Sequence, residues 1–331
     1  MKNSILVTVI ITAHNRKDFL IEAINSVLNQ NFVNEECQII VVKNFIDLRI
    51  DEFLCSKGVL SLYCESSDLG SKIEHSLQFV KGRIIYFLDD DDTFEPDKIH
   101  ILTSHFLNYP EIFFIHNNQN VIDHEGKRIM NPKRKPYNTS FNILNLNELN
   151  KKYIVRKILS KKLTFNLSSI AIRMEVLVKL KNFLSVATLR TDFVSFVSVI
   201  EDENFIGYTD FPFTNYRIHE SNLSKLEIGN KRSYKFLLNS INNLQQIKYH
   251  SENSVTITLC DFFINDAWLK LNLFYEKLTN IKDYDISMKK LLIEVFLTHQ
   301  YQNISFYSAI KFLKKRRHLF FIAIKTYRIF I

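Results

Sequence analysis

Strand-like and helix-like segments alternate from residue 5 to about residue 108, and this alternation restricts the folds open to the chain more than any other feature. Four segments are short, nearly continuous in apolar residues and rich in Val and Ile, as strands covered on both faces are. They are ILVTVIIT (5–12), CQIIVV (37–42), VLSLYCES (59–66) and RIIYFLD (83–89). The segments between them carry apolar residues at helical spacing. The pattern predicts an α/β fold with a mainly parallel central sheet, flanking helices and right-handed crossovers.

The remainder of the chain predicts further elements of this fold and then a helical region. Residues 113–129 indicate a strand and a hairpin, and SSIAIR (168–173) indicates a further strand. The intervening residues 131–165 are polar, basic and poorly periodic, a pattern that allows a mobile region over the site. Later residues have helical periodicity nearly throughout. We therefore predict an α/β domain over 1–225 and a helical C-terminal region over 226–331.

The composition favours a packed globular protein in a reducing compartment. Of the 331 residues, 46% are hydrophobic and 24% are charged, which supports a folded core. The four cysteines are scattered without metal-site spacing. The apolar N-terminus is short and lacks a small-residue cleavage site, so we interpret it as the first strand rather than a signal peptide. No window reaches the ~18 uncharged apolar residues of a membrane span, and a cytoplasmic protein is expected.

The formal net charge of +8 suits an anionic partner. Nucleic acid, an acidic membrane surface and a phosphate-bearing substrate all meet that requirement. The chain contains no recognisable nucleic-acid-binding module, so we expect no nucleic-acid partner.

Three polar turns each follow a predicted strand. They are AHNR (13–16), KNFID (43–47) and DDDD (89–92). Ligands of parallel α/β sheets bind beyond the carboxyl ends of the strands. We therefore expect these turns to lie along one edge of the sheet, around a site.

The four aspartates come directly after a buried strand, where adjacent carboxylates repel and an isolated buried one is costly. Either the acids face water or a positive group lies among them. A hard divalent cation takes carboxylate oxygens and links them to substrate phosphates, and the position at a strand end favours this interpretation. The alternative is a solvated acidic loop in which Asp92 and Thr93 cap the next helix.

Five segments, in the right order, resemble the family 2 inverting nucleotide-sugar glycosyltransferases of the GT-A fold. VTVIITAHNRKDFLIEAINSVLNQ resembles their opening, and KGRIIYFLDDDD resembles their Asp-x-Asp strand end. LSSIAIRMEVL and LRTDFVSFV are similar to a later strand and the helix that bears the base. FTNYRIHESNLS is similar to their Tyr-Arg-x-His-x-x-Asn-x-Ser ending. The resemblance covers about residues 5–225. It implies transfer of a sugar from a UDP- or GDP-linked donor to a hydroxyl of a glycan or lipid-linked acceptor.

The resemblance also implies roles for particular residues. It implies that Asp192 is the general base for the acceptor hydroxyl. It implies Mg²⁺ or Mn²⁺ on the donor diphosphate, held by Asp89, Asp91, Asp92 and His219. The donor-binding residues are expected to be Thr12, Ala13, Asn15, Arg16, Asn44, Lys72, Asp89, Asp90 and Arg217. Asp192 and His219 each have a structural interpretation as well. An aspartate in the first turn of a helix interacts favourably with the helix dipole, and a histidine on a loop is often structural.

The turn after the second strand departs from the family pattern. The family usually has an Asp-rich turn there, with an aspartate that contacts the nucleobase. This chain has Lys43 and Asn44 at those positions, with Asp47 further along. Asn44 can hydrogen-bond a base edge, but the departure leaves uracil preference open. Lys72 has two interpretations, a phosphate ligand or an exposed lysine.

The C-terminal segment KFLKKRRHLFFIAIKTYRIFI (311–331) is basic and then apolar. It is too short and too charged to span a bilayer. It suits an amphipathic helix on an anionic membrane surface, at the inner face of the cell membrane. A terminal helix that packs on its own domain is the equal alternative.

Two other functions stay open. A nucleotidyltransferase also uses an α/β sheet and an acid-held metal, but it usually carries a glycine-rich loop after its first strand, and TAHNR contains no glycine. A catalytically silent nucleotide- or membrane-binding module is disfavoured by the intact acids and Asp192. The residues Lys43 and Asn44 leave room for it.

Overall fold

A computed structural model describes most of the first 274 residues. The described residues are 6–15, 17–31, 37–129, 140–147, 150–202, 205–219 and 231–274. The predicted domain boundary near 225 and the segment 311–331 lie outside the described residues. The chain divides into two compact units, which are Met1–Glu148 with Leu163–Asn222, and Leu149–Lys162 with Leu223–Ile331.

The regular elements follow the predicted alternation. The strands are β1 (Val7–Ala13), β2 (Cys37–Lys43), β3 (Leu60–Tyr63), β4 (Ile84–Asp89), β5 (Thr93–Phe94), β6 (Phe114–Ile122), β7 (Phe141–Asn145), β8 (Ile170–Arg173) and β9 (Phe205–Arg217). The helices are α1 (Leu20–Leu28), α2 (Leu48–Ser56), α3 (Leu69–Leu77), α4 (Lys98–Asn108), α5 (Lys151–Lys161), α6 (Leu177–Leu184), α7 (Thr191–Ile200), α8 (Lys231–His250) and α9 (Ser254–Phe274).

The strands form one twisted sheet in the first unit, in the order β3-β2-β1-β4-β8-β6-β9-β5, with β7 paired to β9. β1 runs parallel to both β2 and β4, and β2 runs parallel to β3. Beyond β4 the sheet is mixed, because β8 runs antiparallel to β4 and β6. The predicted α/β fold is confirmed; the first four strands are parallel to one another, and β6 and β9 form a further parallel pair.

Helices cover both faces of the sheet, which explains why β1 is apolar on both sides. Every residue of β1 is buried. Its alternate residues Val9 and Ile11 join the core that contains the apolar sides of α1, α2 and α4. On the opposite face α3 packs against β1 and β2, and α7 packs against β8. Because strands expose side chains alternately to two faces, a strand covered twice must be apolar throughout.

The poorly periodic segment 131–165 contains regular structure in its described second half. β7 pairs with β9, and residues 151–161 form helix α5. The helix is basic, but Ile154 and Ile158 are buried one turn apart. Asn150 caps its start, because the side chain accepts a hydrogen bond from Lys152 N at 2.9 Å. Because this apolar stripe is narrow and lies among lysines, the helical periodicity of the segment is weak in the sequence.

The second unit is helical where it is described. α9 packs against α5 and α8. Leu237, Ile241 and Leu244 on α8 are buried at spacings of four and three, which is the stripe of an amphipathic helix. No helix in the described part of the chain is long and apolar enough to cross a membrane.

Candidate active site

The three polar turns meet at one edge of the sheet, as predicted. In the parallel register Thr12 lies opposite Asp89, and Ala13 lies opposite Lys43. β1, β2 and β4 therefore end side by side, and the residues after them share one rim. His14 N donates to Asp90 Oδ2 at 3.0 Å, which links the first turn to the acids.

The aspartates after β4 are not a solvated loop. Asp90, Asp91 and Asp92 are all buried, with at most 7% of each residue exposed. Nor does Asp92 cap the next helix, because α4 starts only at Lys98 and Thr93 pairs into the sheet as part of β5. The alternative of a solvated acidic loop with a helix cap is therefore wrong. Donors from distant segments compensate for the burial of these acids.

Asp92 is the most enclosed of the four. Its Oδ1 accepts from Arg217 N at 3.0 Å, and its Oδ2 accepts from Asn166 Nδ2 at 3.1 Å. Burial raises the pKa of Asp92 to about 7, with the charge of Asp91 acting in the same direction and the hydrogen bonds opposing it. Its carboxylate therefore serves first as an acceptor that ties the acid turn to other segments.

Lys98 is a buried cation next to this turn. The Lys98 ammonium donates to Ser168 O and, at 2.9 Å, to Thr214 Oγ1. Its Nζ also lies 3.7 Å from the centroid of the Phe94 ring. Burial holds the Lys98 pKa well below its usual value, while the charge of Asp92 raises it. The lysine thus joins α4 to β9 and to the segment before β8.

Arg217 lies fully buried at the end of β9 and binds three other segments. Its Nε donates to Asp91 O at 2.8 Å, and its Nη1 donates to the carbonyls of Asp123 and His124, both at 3.1 Å. Nη2 forms an ion pair with Glu22 at 2.7 Å. The guanidinium therefore holds the acid turn through the carbonyl of Asp91. A role of Arg217 in donor binding stays a prediction.

His219 contacts the predicted metal ligand Asp91. His219 Nε2 lies 2.9 Å from Asp91 Oδ2, and both side chains are about nine-tenths buried. The imidazole packs on the Phe19 ring with centroids 5.3 Å apart. Phe19 also lies under the Arg217 guanidinium, 4.5 Å from its centroid to Cζ. The turn before α1 thus supports both residues of the Arg-x-His segment.

Several of the residues predicted for donor binding lie around the end of β1. Asn15 has a positive φ of 51° and its N–H donates to Asn44 Oδ1 at 2.9 Å. Lys72 is buried rather than exposed, and its Nζ donates to Ser66 O at 2.8 Å and lies 3.3 Å from His14 Nδ1. Burial lowers the Lys72 pKa, and nearby acids, Asp90 among them, oppose that shift. Arg16 lies outside the described residues.

Lys43 does not take the place of the family's base-contacting acid. Its side chain is buried, and its Nζ pairs with Asp51 Oδ1 at 2.8 Å and donates to Phe45 O at 2.9 Å. The ammonium is therefore neutralised by α2. Asn44 remains as the polar group that this turn presents beside Asn15.

Asp192 lies in the first turn of α7, after Arg190 in a left-handed conformation with φ 56°. Burial raises the pKa of Asp192, and the charge of Arg190 opposes that shift. Backbone hydrogen bonds from Phe193, at 2.8 Å, and from Asn166 also stabilise the carboxylate. Asn166 contacts Asp92 as well, so one residue joins the surroundings of Asp192 to the acid turn.

The acid turn has the chemistry of a divalent cation site in which the phosphates of a bound nucleotide supply some of the metal ligands. Within the described residues, no group of three or more His, Cys, Asp or Glu side chains is placed to hold a metal ion by itself. Mg²⁺ commonly needs only one or two carboxylates, with substrate phosphates and water as its other ligands. Asp89 and Asp91 with His219 offer hard oxygens and an imidazole that suit Mg²⁺ or Mn²⁺.

Sequence reasoning missed several residues that build this site. Asn166 and Ser168 bond the acid turn, Lys98 bonds Ser168, Glu22 pairs with Arg217, and Phe19 packs on His219. Ser168 Oγ, for example, accepts from Asp89 N at 3.0 Å. Their side chains are ordinary in type and distant in sequence, so no local pattern marks them. Among these residues Lys98 is the exception, because a lysine in the first turn of a largely apolar helix can be noticed in the sequence.

Comparison with known proteins places these features in a family. The chain is 33% identical over 129 residues to an uncharacterized glycosyltransferase of Rickettsia conorii, which is 38% of this chain and 21% of that protein. It is 34% identical over 125 residues to one of Rickettsia felis, with 37% and 21% covered. The matches thus span about a fifth of the length of these relatives.

Solved structures share the fold. S. aureus TarS 1–349 in complex with UDP matches with a TM-score of 0.53 at 13% identity, over 88% of this chain and 80% of that one. The same protein in complex with UDP-GlcNAc matches with a TM-score of 0.54 at 14% identity, over 87% and 79%. The predicted GT-A fold is therefore confirmed.

The family model of glycosyl transferase family 2 matches residues 8–179, which is more than half of the chain. The matched range contains β1, the acid turn and the Asn166–Ser168 segment described above. The chain belongs to glycosyl transferase family 2.

Proposed function

We propose that this protein is a metal-dependent inverting glycosyltransferase that moves a sugar from a nucleotide-sugar donor to an acceptor hydroxyl, with Asp192 as the general base. The observation that carries the proposal is the joining of two carboxylate centres through Asn166. Its side chain bonds Asp92 in the acid turn, and its backbone stabilises the charged form of Asp192. A direct displacement needs two such centres, one for the leaving group and one for the acceptor proton.

The acceptor side of the reaction requires a base. As the acceptor oxygen forms its bond to the anomeric carbon, its proton passes to a carboxylate oxygen of Asp192. Burial raises the pKa of this group, which makes its carboxylate a stronger base than an exposed aspartate. Attack from the face opposite the leaving group inverts the configuration of that carbon.

The donor side requires stabilisation of the departing nucleoside diphosphate. The bond between the anomeric carbon and the diphosphate oxygen breaks, and negative charge grows on that oxygen. Asp91 and Asp89 would supply one or two carboxylates to Mg²⁺ or Mn²⁺, with diphosphate oxygens and water as its other ligands, and the cation would supply a positive charge against the diphosphate. Lys72 lies at the same rim as a further cation, next to His14 and Asp90.

For the donor nucleotide we propose UDP before GDP. Support comes from the fold shared with TarS, which has been solved with UDP and with UDP-GlcNAc. Asn44 beside Asn15 offers an amide that can pair with a uracil edge. The acceptor is proposed to be a glycan or a lipid-linked glycan. A peripheral position on the inner face of the cell membrane, through 311–331, would suit the lipid-linked case.

The decisive variant is Asp192→Asn, which keeps the shape of the side chain and removes the base. Calorimetry with UDP and Mn²⁺ should give an affinity close to that of the wild type. Transfer should fall by about 10²–10⁴-fold, the usual contribution of a general base. The matched control is Asp202→Asn, since Asp202 lies just after α7 with its side chain 62% exposed and paired with Lys179.

Undiminished transfer by Asp192→Asn would falsify the base assignment. The products separate the remaining alternatives. A glycosyltransferase releases a nucleoside diphosphate from the nucleotide sugar, whereas a nucleotidyltransferase running in reverse consumes pyrophosphate. A catalytically silent module binds UDP, but it neither releases a nucleoside diphosphate from the nucleotide sugar nor consumes pyrophosphate.

A further inference from the structure

We propose that Asn166 is a positioning residue that fixes the candidate base relative to the acid turn, because its side chain bonds Asp92 and the turn that follows it packs against helix α7, which carries Asp192. This inference rests on the proposed function, since it assigns Asn166 a part in the same reaction. It adds a residue that neither the strand-end acids nor the helix with the base reveals.

The backbone of Asn166 is held in a conformation that few residues adopt. Its φ is 64° and its ψ is 108°, which lies outside the small left-handed region open to residues with a Cβ. Such a conformation persists only where the surrounding structure determines it, and it is common at functional sites. Asn166 is 7% exposed, so contact with solvent does not account for this backbone conformation.

The side chain of Asn166 has a defined orientation. Oδ1 accepts from Ser168 N at 2.7 Å, and Nδ2 donates to Asp92 Oδ2 at 3.1 Å. A flipped amide would place two donors against each other at Ser168 N, so the network settles the assignment. Ser168 in turn accepts from Asp89 N at 3.0 Å. The segment therefore holds the acid turn at two points.

The backbone of the same residue faces the base. The Leu167–Ser169 turn that follows Asn166 packs against α7, and Asn166 O accepts from Ser169 N at 3.0 Å. Burial raises the pKa of Asp192, and the backbone of Asn166 opposes that shift because it favours the charged form of the carboxyl. Asp192 and Asp92 belong to different elements, α7 and the turn after β4. Asn166 therefore connects Asp92 to the turn that packs against α7, and its fixed dihedral angles set the geometry between the two carboxylates.

The consequence for the reaction is geometric. The acceptor oxygen must lie close to Asp192 and in line with the bond that breaks at the donor. Because a misplacement of about 1 Å at a reacting centre costs about 10²-fold in rate, loss of this link should slow transfer without weakening donor binding.

The test uses Asn166→Gly in the full-length protein. Glycine adopts positive φ without strain, so the variant should fold while losing the bond to Asp92. The kcat of transfer should fall about 100-fold. The donor KM, and the affinity for UDP with Mn²⁺ measured by calorimetry, should stay within about threefold. Hydrolysis of the donor does not require an acceptor aligned with Asp192, so the rate of hydrolysis should fall less than the rate of transfer.

The control is Lys162→Gly, which relaxes another non-glycine position of positive φ, 53°, at the end of α5. It should leave kcat, KM and hydrolysis at the wild-type values. In an Asp192→Asn background, Asn166→Gly should cause no further loss of transfer, because the positioned group is already gone.

Three outcomes overturn the inference. One is a wild-type kcat for Asn166→Gly. Another is a loss confined to KM and UDP affinity, which would make Asn166 a donor ligand. The third is a full 100-fold additional loss in the Asp192→Asn background. Failure of the proposed function is recognised separately, by transfer that survives Asp192→Asn whatever residue 166 is.

Discussion

Replacing Arg217 by methionine should destabilise the first unit far more than removing an arginine from its surface. Arg217 is fully buried, and its guanidinium serves the carbonyls of Asp91, Asp123 and His124. Methionine has a similar volume and no donor. A buried carbonyl left without a donor costs about 1–3 kcal/mol.

The magnitude follows from how each partner is placed. Asp123 and His124 belong to a turn that water reaches, so their carbonyls can be hydrated again and contribute little. Asp91 O is inside the acid turn and should cost the full amount. The contact with the Phe19 ring adds about 1 kcal/mol. The exposed Glu22 adds less than about 1 kcal/mol. We expect a total of about 3 kcal/mol, which is a large part of a typical stability of about 5–15 kcal/mol.

The matched control is Arg128→Met. Arg128 bonds both oxygens of Glu95, at 2.8 and 2.9 Å, but its side chain is 59% exposed. Such a surface pair is worth less than about 1 kcal/mol. Arg217→Lys should fall nearer to the methionine variant than to the wild type, because one ammonium cannot serve the same fork of partners.

The assay must report the first unit. The chain has one tryptophan, Trp268, on α9 in the second unit, so its fluorescence follows the wrong part of the protein. Hydrogen exchange of the β4 and β9 amides in increasing urea follows the sheet directly. If Arg217→Met and Arg128→Met lie within about 1 kcal/mol of each other, the reasoning from buried carbonyls is refuted.

Four further predictions follow from particular contacts. Gly70→Ala should destabilise by about 1–3 kcal/mol in thermal unfolding, with Ser71→Ala neutral, because a Cβ would lie 2.7 Å from Thr188 Cα. The acid limb of kcat should lie above pH 3.8, because a base with a raised pKa is protonated earlier as pH falls; a limb at 3.8 contradicts the raised pKa of Asp192. In chelator, the stability of the protein should decrease as pH rises from about 4 to about 7, since the folded pKa of Asp92 is raised to about 7 and the proton is bound more tightly in the folded state; Asp92→Asn should flatten this slope. Deletion of 311–331 should move the protein from membrane to supernatant in flotation with anionic vesicles, and an unchanged distribution favours packing of this segment on its own domain.

Much of the fold could be predicted from periodicity because the first unit is built from local patterns. A strand buried on both faces must be apolar throughout, and a helix beside it must carry one apolar stripe. The positions of β1, β2 and β4 follow from this, and so does the rim at their carboxyl ends. Helix α5 was missed because two buried isoleucines among lysines make a weak pattern.

The candidate site divides in the same way. The sequence by itself determined the acid turn, Asp192 and the Arg217–His219 segment as chemically notable, because each pairs a charged residue with the end of a regular element. It did not determine what compensates them. Only the tertiary structure brought Asn166 to Asp92, Ser168 to Asp89 and Lys98 to Ser168, and Glu22 and Phe19 to Arg217. The physical reason is that secondary structure depends on spacing along the chain, whereas the compensation of a buried charge depends on which distant segments the folded sheet places within hydrogen-bond distance.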